Sequence, residues 1–259
     1  MITVSDISSE FEKTFQAITS IIFGKKLSGY NDYSEWLSRD VLSQEETKSV
    51  LSGKSIYLPL FNFYPKLKSK LVTITEAYDV LGKQQISEQN LERLSFSNAA
   101  IILRDISTTT MDTEYGTNTN VSESSLYYSS HTCLRGVGLN RSKCAMYCFW
   151  PRFSEYALGC YYLFSSQFCI RCFNSENLTR CFEMSDCNNC SDSMFCHNSE
   201  NLKNCMFCFN TKSKQYAICN VEIGREKYLE IRKLVMDQMI GVLEKEKTLK
   251  LSIFNLSQK

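Results

Sequence analysis

The chain has 259 residues, enough for one large domain or two small ones, and 43% of them are apolar, which argues against general disorder. Its 29 Lys and Arg against 28 Asp and Glu give a formal charge of +1, which argues against a nucleic-acid binder with a globally basic surface. No apolar run approaches the ~20 residues of a membrane helix, and the opening residues, MITVSD, lack the pattern of a signal peptide. We therefore expect a soluble protein in the cytoplasm.

Residues 1–107 are predicted to form an α-rich N-terminal domain. Apolar residues recur at helical spacing from Ile7 to Ile22, with Ser5 or Asp6 as a cap before them and Gly24 after them. This pattern predicts the first helix of the chain.

Weaker signals follow within this domain. Ser43–Glu46 has the spacing of a capping box and predicts a helix that ends near Gly53. Ser55–Tyr64 is predicted to be extended, with Pro59 limiting it to an edge or a bend. The other predictions are a strand or a helix at Leu71–Leu81, a helix capped by Ser87 that ends near Leu94, and a strand at Ala99–Ile106.

All 13 Cys lie between Cys133 and Cys219, and this change in composition predicts a domain boundary nearby. The Thr-, Ser- and Asn-rich residues 108–129 are expected to form a polar connection or an irregular first coil. Without an export signal the thiols are expected to be reduced, and a free Cys packs as a small apolar side chain. We therefore interpret the cysteines first as packing residues.

Residues 130–220 show a period of three, and small or apolar residues occupy one phase of it. This period fits neither an α-helix nor a flat strand, and it predicts a β-solenoid in which one residue in three points into a narrow lumen. Asn and Asp favour the preceding phase, where we expect left-handed turns. The Cys of the inward phase are Cys133, Cys148, Cys160, Cys169, Cys172, Cys181, Cys187, Cys190, Cys196, Cys205 and Cys208.

Longer spacings suggest the coil length. Cys169, Cys187 and Cys205 are 18 apart, and the string NSENL begins at Asn174 and again 24 residues later, at Asn198. Both spacings are multiples of six, and we predict coils of about 18 residues, with 24 as the alternative. About five coils would then stack at the ~4.8 Å spacing of strands. Phe side chains are too large for such a lumen and are expected outside it or between layers.

Residues 221–259 are predicted to form a C-terminal capping helix, at Gly224–Glu246, and a tail. Because terminal coils expose strand edges, we expect this helix and the N-terminal segment to cap the solenoid. The predicted fold class is therefore α+β: a Cys-lined β-solenoid with an α-rich N-terminal domain and a C-terminal helix. The apolar stripe of the helix consists of Tyr228, Ile231, Val235, Met239 and Val242.

Two known families share parts of this pattern. The inward Cys-x-x-Ser-x-x-Cys rhythm resembles the Cys-rich β-helix of insect antifreeze proteins, but the Thr-x-Thr rows that bind ice are absent, so that activity is not carried over. A closer resemblance is to an uncharacterised Cys- and Asn-rich solenoid family of phages and uncultivated bacteria. It covers about residues 130–233 and rests on Ser199–Asn210, Gln215–Asn220 and the helix that opens Arg225–Tyr228. This resemblance implies a structural or scaffold role, with a virion as one setting, and no known activity.

Three C-x-x-C pairs offer an alternative interpretation as a zinc or iron–sulfur site, because two such pairs 14 residues apart are close to zinc-ribbon spacing. The same phase also holds Ser, Leu, Met and Ala, which favours packing. Disulfide bonds between stacked Cys are a further alternative. The pairs are Cys169 and Cys172, Cys187 and Cys190, and Cys205 and Cys208.

A hexapeptide-type solenoid transferase is the enzyme alternative, with His131 or His197 as the base. Its inward residues would alternate two apart, not three, and His197 is expected to face outward. Aromatic residues near Arg171, Arg180 and Lys203 could stack on nucleic acid, although an exposed aromatic row on a solenoid favours a protein interface. These aromatic residues are Phe173, Phe182, Phe207, Phe209 and Tyr216.

The sequence therefore predicts a non-enzymatic structural or adaptor protein with no catalytic residue and no bound cofactor. Its expected partners are other proteins or further copies of the chain, in the cytoplasm or in a virion, and no membrane.

Overall fold

The computed structural model describes residues 4–80, 83–111 and 113–256. They form two compact units, one of Met1–Leu42 with Tyr115–Lys259 and the other of Ser43–Glu114. The predicted domain of residues 1–107 is therefore divided between the two units, because its first helix packs on the solenoid. Within the described residues, no helix is both long and apolar enough to cross a lipid bilayer.

The predicted first helix is confirmed as α1, Val4–Phe23. It begins before Ser5, so Ser5 and Asp6 lie inside the helix and the prediction that one of them caps it is wrong. Gly24 follows with φ +72° and donates from its N–H to the carbonyl of Ser20 at 3.0 Å, as a left-handed C-terminal residue does. A 3₁₀ helix at Tyr30–Tyr33 and the short α2 at Ser34–Ser38 come next.

The unit of Ser43–Glu114 begins with a hairpin of β1 (Gln44–Lys48) and β2 (Ser55–Pro59). The predicted helix at this point is wrong, because residues 44–48 pair antiparallel with residues 55–59 and Gly53 turns the chain between them at φ +73°. The extended prediction for Ser55–Tyr64 is confirmed as far as Pro59, which lies in a two-stranded sheet where every strand is an edge. A 3₁₀ helix follows at Tyr64–Lys70.

Three short helices complete this unit: α3 (Ile74–Val80), α4 (Glu88–Glu92) and α5 (Ala99–Ile102). The alternatives for Leu71–Leu81 thus resolve to a helix up to Val80, and Leu81 lies outside the described residues. The cap at Ser87 is confirmed, since its hydroxyl accepts the N–H of Asn90 at 3.3 Å. The predicted strand at Ala99–Ile106 is wrong, because α5 and turns occupy it.

The β-solenoid is confirmed, with about nine turns, but its coil has twelve residues. Cys169, for example, pairs with Ala157 before it and with Cys181 after it in parallel strands. The predicted lengths of 18 and 24 and the number of five coils are therefore wrong. A spacing of 24 spans two coils, and a spacing of 18 spans one and a half and reaches the opposite side of the lumen in the same inward phase.

The solenoid begins at Thr119, inside the segment predicted as a connection or an irregular coil, and its last strand ends at Glu222. A short β3 (Glu114–Tyr115) precedes it and pairs with the strand of Tyr127–Tyr128. The strands are β4 (Thr119–Ser122), β5 (Tyr127–Tyr128), β6 (His131–Leu134), β7 (Lys143–Met146), β8 (Glu155–Leu158), β9 (Tyr161–Phe164), β10 (Gln167–Glu176), β11 (Thr179–Asn188), β12 (Met194–Glu200), β13 (Lys203–Met206), β14 (Phe209–Lys212), β15 (Gln215–Ile218) and β16 (Val221–Glu222).

Left-handed turns shape each coil. From Asn120 to Cys219 every third residue has φ between +44° and +68°, which confirms the prediction made from Asn and Asp in this phase. Arg, Tyr, Phe and Trp adopt the same conformation at other positions of the phase. Four such turns in twelve residues give the coil four sides, with one inward residue after each turn.

One side of the solenoid, the covered face, is an apolar row that α1, α2 and the C-terminal helix bury. Gly159 permits a close approach of α2, because a Cβ there would lie 2.4 Å from the Leu37 carbonyl oxygen. Phe182 packs edge-on against Phe23 of α1, with ring centroids 5.2 Å apart. The row consists of Leu134, Met146, Leu158, Ile170, Phe182, Met194, Met206 and Ile218.

The C-terminal helix is confirmed as α6, Arg225–Glu246. Its predicted stripe is partly wrong, because Val242 is exposed while Met236, Ile240 and Leu243 are buried beside Tyr228 and Met239. The N-terminal segment was predicted to cap an end of the solenoid. Its helix α1 instead lies along the covered face and shields a side. The last coil is closed by β16 and by the side chain of Asn220, whose amide bonds both the N–H and the carbonyl of Phe209, at 2.9 and 2.8 Å.

Candidate docking surface

The lumen contains Leu, Ala and Met side chains together with thiols and hydroxyls, and the thiols and hydroxyls make the same kind of hydrogen bond. Cys148 donates to the carbonyls of Met146 and Ala157, at 3.3 and 3.5 Å. Ser154 donates to the carbonyls two residues before and nine residues after it, at 2.9 and 3.2 Å. Because an inward Cys or Ser can bond both its own coil and the next one, the two residue types are interchangeable there, which explains why both occupy the inward phase.

The C-x-x-C residues lie in this lumen and do not surround a common point. The first and third pairs are 36 residues, or three coils, apart and lie on the same two sides of the lumen: Cys169 with Cys172, and Cys205 with Cys208. The second pair, Cys187 with Cys190, lies one and a half coils from each of them, on the other two sides of the lumen. All 13 cysteines are free thiols. Among the described residues no group of three or more His, Cys, Asp and Glu side chains could hold a metal ion.

Thiol labelling should separate these buried groups from the surface. Twelve cysteines are buried and Cys219 is exposed, so in the folded chain a reagent reaches Cys219 first. Burial also raises the pKa of Cys133 to about 12, so little thiolate forms at that position at pH 8. We expect one fast-reacting thiol in the native protein and 13 after unfolding, with Cys219→Ser removing the fast one. Prompt labelling of several thiols in native protein, measured by mass spectrometry, would contradict a closed lumen.

The two histidines face outward, as predicted for His197. Its Nδ1 lies 3.4 Å from Oδ2 of Asp186, and the two side chains are 43% and 45% exposed. The same Asp186 oxygen accepts the hydroxyl of Ser185 at 2.6 Å, so the serine donates to the carboxylate and not to the imidazole. This is not the order of a nucleophile, base and orienting acid. His131 bonds the hydroxyl of Thr119 at 2.7 Å on another side of the solenoid.

The aromatic and basic residues considered for nucleic-acid stacking or for a protein interface do not form one surface. Phe173, Phe182 and Arg171 are buried, and Arg180 pairs with Asp192 at 2.6 Å. In the twelve-residue coil these residues lie on different sides of the solenoid, so they do not share a row.

Arg171 instead lies at the centre of a buried ion-pair cluster. Its Nε donates to Glu183 Oε1 at 2.5 Å, its Nη1 donates to the Trp36 carbonyl at 2.7 Å, and its Nη2 donates to Asp40. Glu183 also accepts the N–H of Ile253 at 2.8 Å. Burial opposes the charge on Arg171, but the two carboxylates raise its pKa above the ordinary value. The cluster thereby joins the N-terminal segment and the C-terminal tail to the solenoid.

The side half a coil away from the covered face is the open face, and no helix among the described residues of its own unit belongs to a buried cluster with it. It has eight rungs, each made of an outward strand residue and the left-handed residue after it. The open face consists of Tyr128 and Ser129, Asn140 and Arg141, Arg152 and Phe153, Phe164 and Ser165, Glu176 and Asn177, Asn188 and Asn189, Glu200 and Asn201, and Lys212 and Ser213.

The first half of the open face is cationic and aromatic. The Arg141 guanidinium lies 5.6 Å from the Tyr128 ring and 5.4 Å from the Phe153 ring, and Phe153 is 53% exposed. The Arg152 guanidinium lies 5.7 Å from the Phe164 ring. Within the described residues no carboxylate lies within 4.0 Å of either guanidinium. Arg141 is exposed, whereas Arg152 is half-buried and its guanidinium also lies 5.1 Å from the Trp150 ring.

The second half of the open face is acidic and amide-rich. Glu176 and Glu200 are exposed, as are Asn177, Asn189 and Asn201 between and beside them. A groove of about 420 Å³ runs along its border and includes the side chains of Asn188 and Glu200. Neither half was predicted from the sequence, although the twelve-residue spacing of Arg152, Phe164 and Glu176 was a signal for them.

No protein-family model, no curated protein and no solved structure matches this chain.

Proposed function

We propose that this protein is a structural or docking protein without enzymatic activity, and that its solenoid is a rigid surface within a larger assembly. The observation that carries the proposal is the open face: a row of rungs, fixed by backbone pairing, where the exposed Arg141 lies between the exposed rings of Tyr128 and Phe153 and the half-buried Arg152 lies beside Phe164. Arg and aromatic side chains are enriched where proteins bind each other. A β-solenoid fold is compatible with this role.

Two further points support the proposal and its setting. The covered face already has its helices, whereas the described residues of the opposite side are exposed or half-buried, so we assign docking to that side. The resemblance to solenoids of phages and uncultivated bacteria favours a virion, or an assembly in the cytoplasm, as the place to search for that partner.

A charge reversal on the open face tests the proposal. We expect the chain, isolated gently from the cells or virions that make it, to elute in a complex larger than a single chain. Arg141→Glu with Arg152→Glu should release it, because like charges would then face the acidic groups of the partner. The measurement is native mass after size-exclusion chromatography.

The matched control is Arg225→Glu with Lys227→Glu, which makes the same change of charge at exposed positions of α6 and should leave the complex intact. A wild-type chain that elutes alone, or a complex that survives the reversal on the open face, would show that the proposal is wrong.

A further inference from the structure

The charges of the open face are distributed so that the face complements itself. Its first four rungs carry Arg141 and Arg152, and its last four carry Glu176, Glu200 and, on the final rung, Lys212. Consider a two-fold axis that is perpendicular to the solenoid axis and passes between the fourth and fifth rungs. Rotation about it places the first rung of each copy on the eighth rung of the other. Such an isologous arrangement makes every contact twice.

We propose that the open face binds a second copy of this chain, antiparallel and related by this two-fold axis. The inference rests on the proposed function, since it names the partner that the open face takes. In this arrangement the outward strand residues of one copy face those of the other, and the left-handed residues face each other in the same way. Arg141 therefore lies beside Glu200, and Lys212 lies over the ring of Tyr128. The Arg152 rung meets the Asn188 rung.

Alternative arrangements of the same face are less favourable. A parallel pairing would place each rung on the same rung of the other copy, so that arginines meet near arginines and glutamates near glutamates. A single-stranded nucleic acid could use Arg141, Arg152 and the rings, but it would extend over Glu176 and Glu200, whose charge repels phosphate.

The size of the face sets the expected affinity. Eight rungs at ~4.8 Å give a strip ~34 Å long and about 10 Å wide. This footprint is below the ~800 Å² per partner of a standard interface, so we expect a reversible dimer with a Kd of about 10–100 μM.

Mixing two singly reversed chains tests the register. Arg141→Glu alone and Glu200→Arg alone should each raise the dimer Kd at least about tenfold, because each places like charges together twice. An equimolar mixture should dimerise with a Kd near that of the wild type, since the glutamate introduced in one chain would then meet the arginine introduced in the other. Sedimentation velocity of the purified full chain measures the dimer Kd of the wild type, of each single variant and of the mixture. Concentrations from about 1 to about 300 μM cover the expected range of Kd.

A second variant does not depend on charge repulsion. Phe164 of one copy lies opposite Glu176 of the other, so Phe164→Arg should tighten the dimer about tenfold by adding two ion pairs. A wild type that stays monomeric over the whole range, a dimer unaffected by Arg141→Glu, or a mixture that fails to restore dimerisation would each overturn the inference. So would binding of a single-stranded oligonucleotide by a chain that does not dimerise.

The result separates this inference from the proposed function. If the purified chain is monomeric while the complex from its source is still lost on charge reversal of the open face, docking stands and self-association is wrong. If both measurements fail, the open face is not an interface.

Discussion

Arg171→Met is expected to lower the free energy of unfolding by about 3–5 kcal/mol at neutral pH, because it leaves the carboxylate of Glu183 buried without its cation. Both side chains of this pair are 0% exposed, so water cannot replace the lost partner. The variant also frees the carbonyl of Trp36 and the carboxylate of Asp40. Chemical denaturation measures the change, and a loss below about 1 kcal/mol would mean that the cluster does not hold the segments together.

The loss of stability in Arg171→Met should be smaller at acidic pH than at neutral pH. Burial raises the pKa of Glu183 above its ordinary value, and the attraction of Arg171 opposes this rise. In Arg171→Met that opposition is gone, so the folded chain holds the proton of Glu183 more tightly than the unfolded chain does. Stability is then greatest below pH 4.5 and is lost as the pH rises through the raised pKa. The deficit relative to the wild type should therefore shrink on acidification.

The matched controls use the partner residue. Glu183→Gln keeps an acceptor for Ile253 and leaves Arg171 paired with Asp40, so we expect a smaller loss, about 2 kcal/mol. Arg171→Met with Glu183→Gln should recover about 1–3 kcal/mol relative to Arg171→Met alone, since no buried charge then lacks its counterion. The double variant should also lack the extra pH dependence, and its persistence would assign that dependence to another group.

The local geometry of the solenoid could be predicted because the residue type at each position reflects whether that position is a turn or faces the lumen. A turn every third residue selects Asn or Asp, and the next residue must be small enough for the lumen, as Asn174 with Ser175 and Asn189 with Cys190 illustrate. These constraints act within two residues, so the sequence alone shows the period, the inward phase and the left-handed turns.

The coil length could not be read from the inward phase, because any multiple of three preserves that phase. It is set by which outward residues stack, as Tyr156 stacks on Phe168 and Phe149 on Tyr161, each twelve residues on. The apolar row of the covered face, for example Leu158 at the same spacing from Ile170, carried this signal too. The docking surface depends on the same spacing and was missed for the same reason.

The hairpin of residues 44–59 shows a different limit. Ser43–Glu46 satisfies a capping-box pattern, yet the backbone of Gln44–Lys48 bonds a strand that follows it in the chain. A four-residue signal specifies a helix only when an apolar face follows to bury it, and none follows here because residues 44–48 are only half-buried or exposed. Pairing with a neighbouring strand therefore overrides the local preference.

Cys172→Phe is expected to lower the free energy of unfolding by at least about 3 kcal/mol, because the lumen has no space for a ring. Cys172 is fully buried and its thiol donates to the carbonyls of Ile170 and Cys181, both at 3.6 Å. A ring at this position must push adjacent coils apart and break their parallel hydrogen bonds. Denaturant unfolding followed by circular dichroism measures the loss.

Two matched variants separate size from chemistry in this experiment. Cys172→Ser keeps a donor for the same two carbonyls, as Ser154 already does in its own coil, and should cost no more than about 1 kcal/mol. Glu176→Phe adds the same ring at an exposed position of β10 and should change stability by no more than about 0.5 kcal/mol. If Cys172→Phe unfolds at the same denaturant concentration as Glu176→Phe, the lumen is not closed, and the thiols would need a role other than packing. If Cys172→Ser is as damaging as Cys172→Phe, sulfur itself is required.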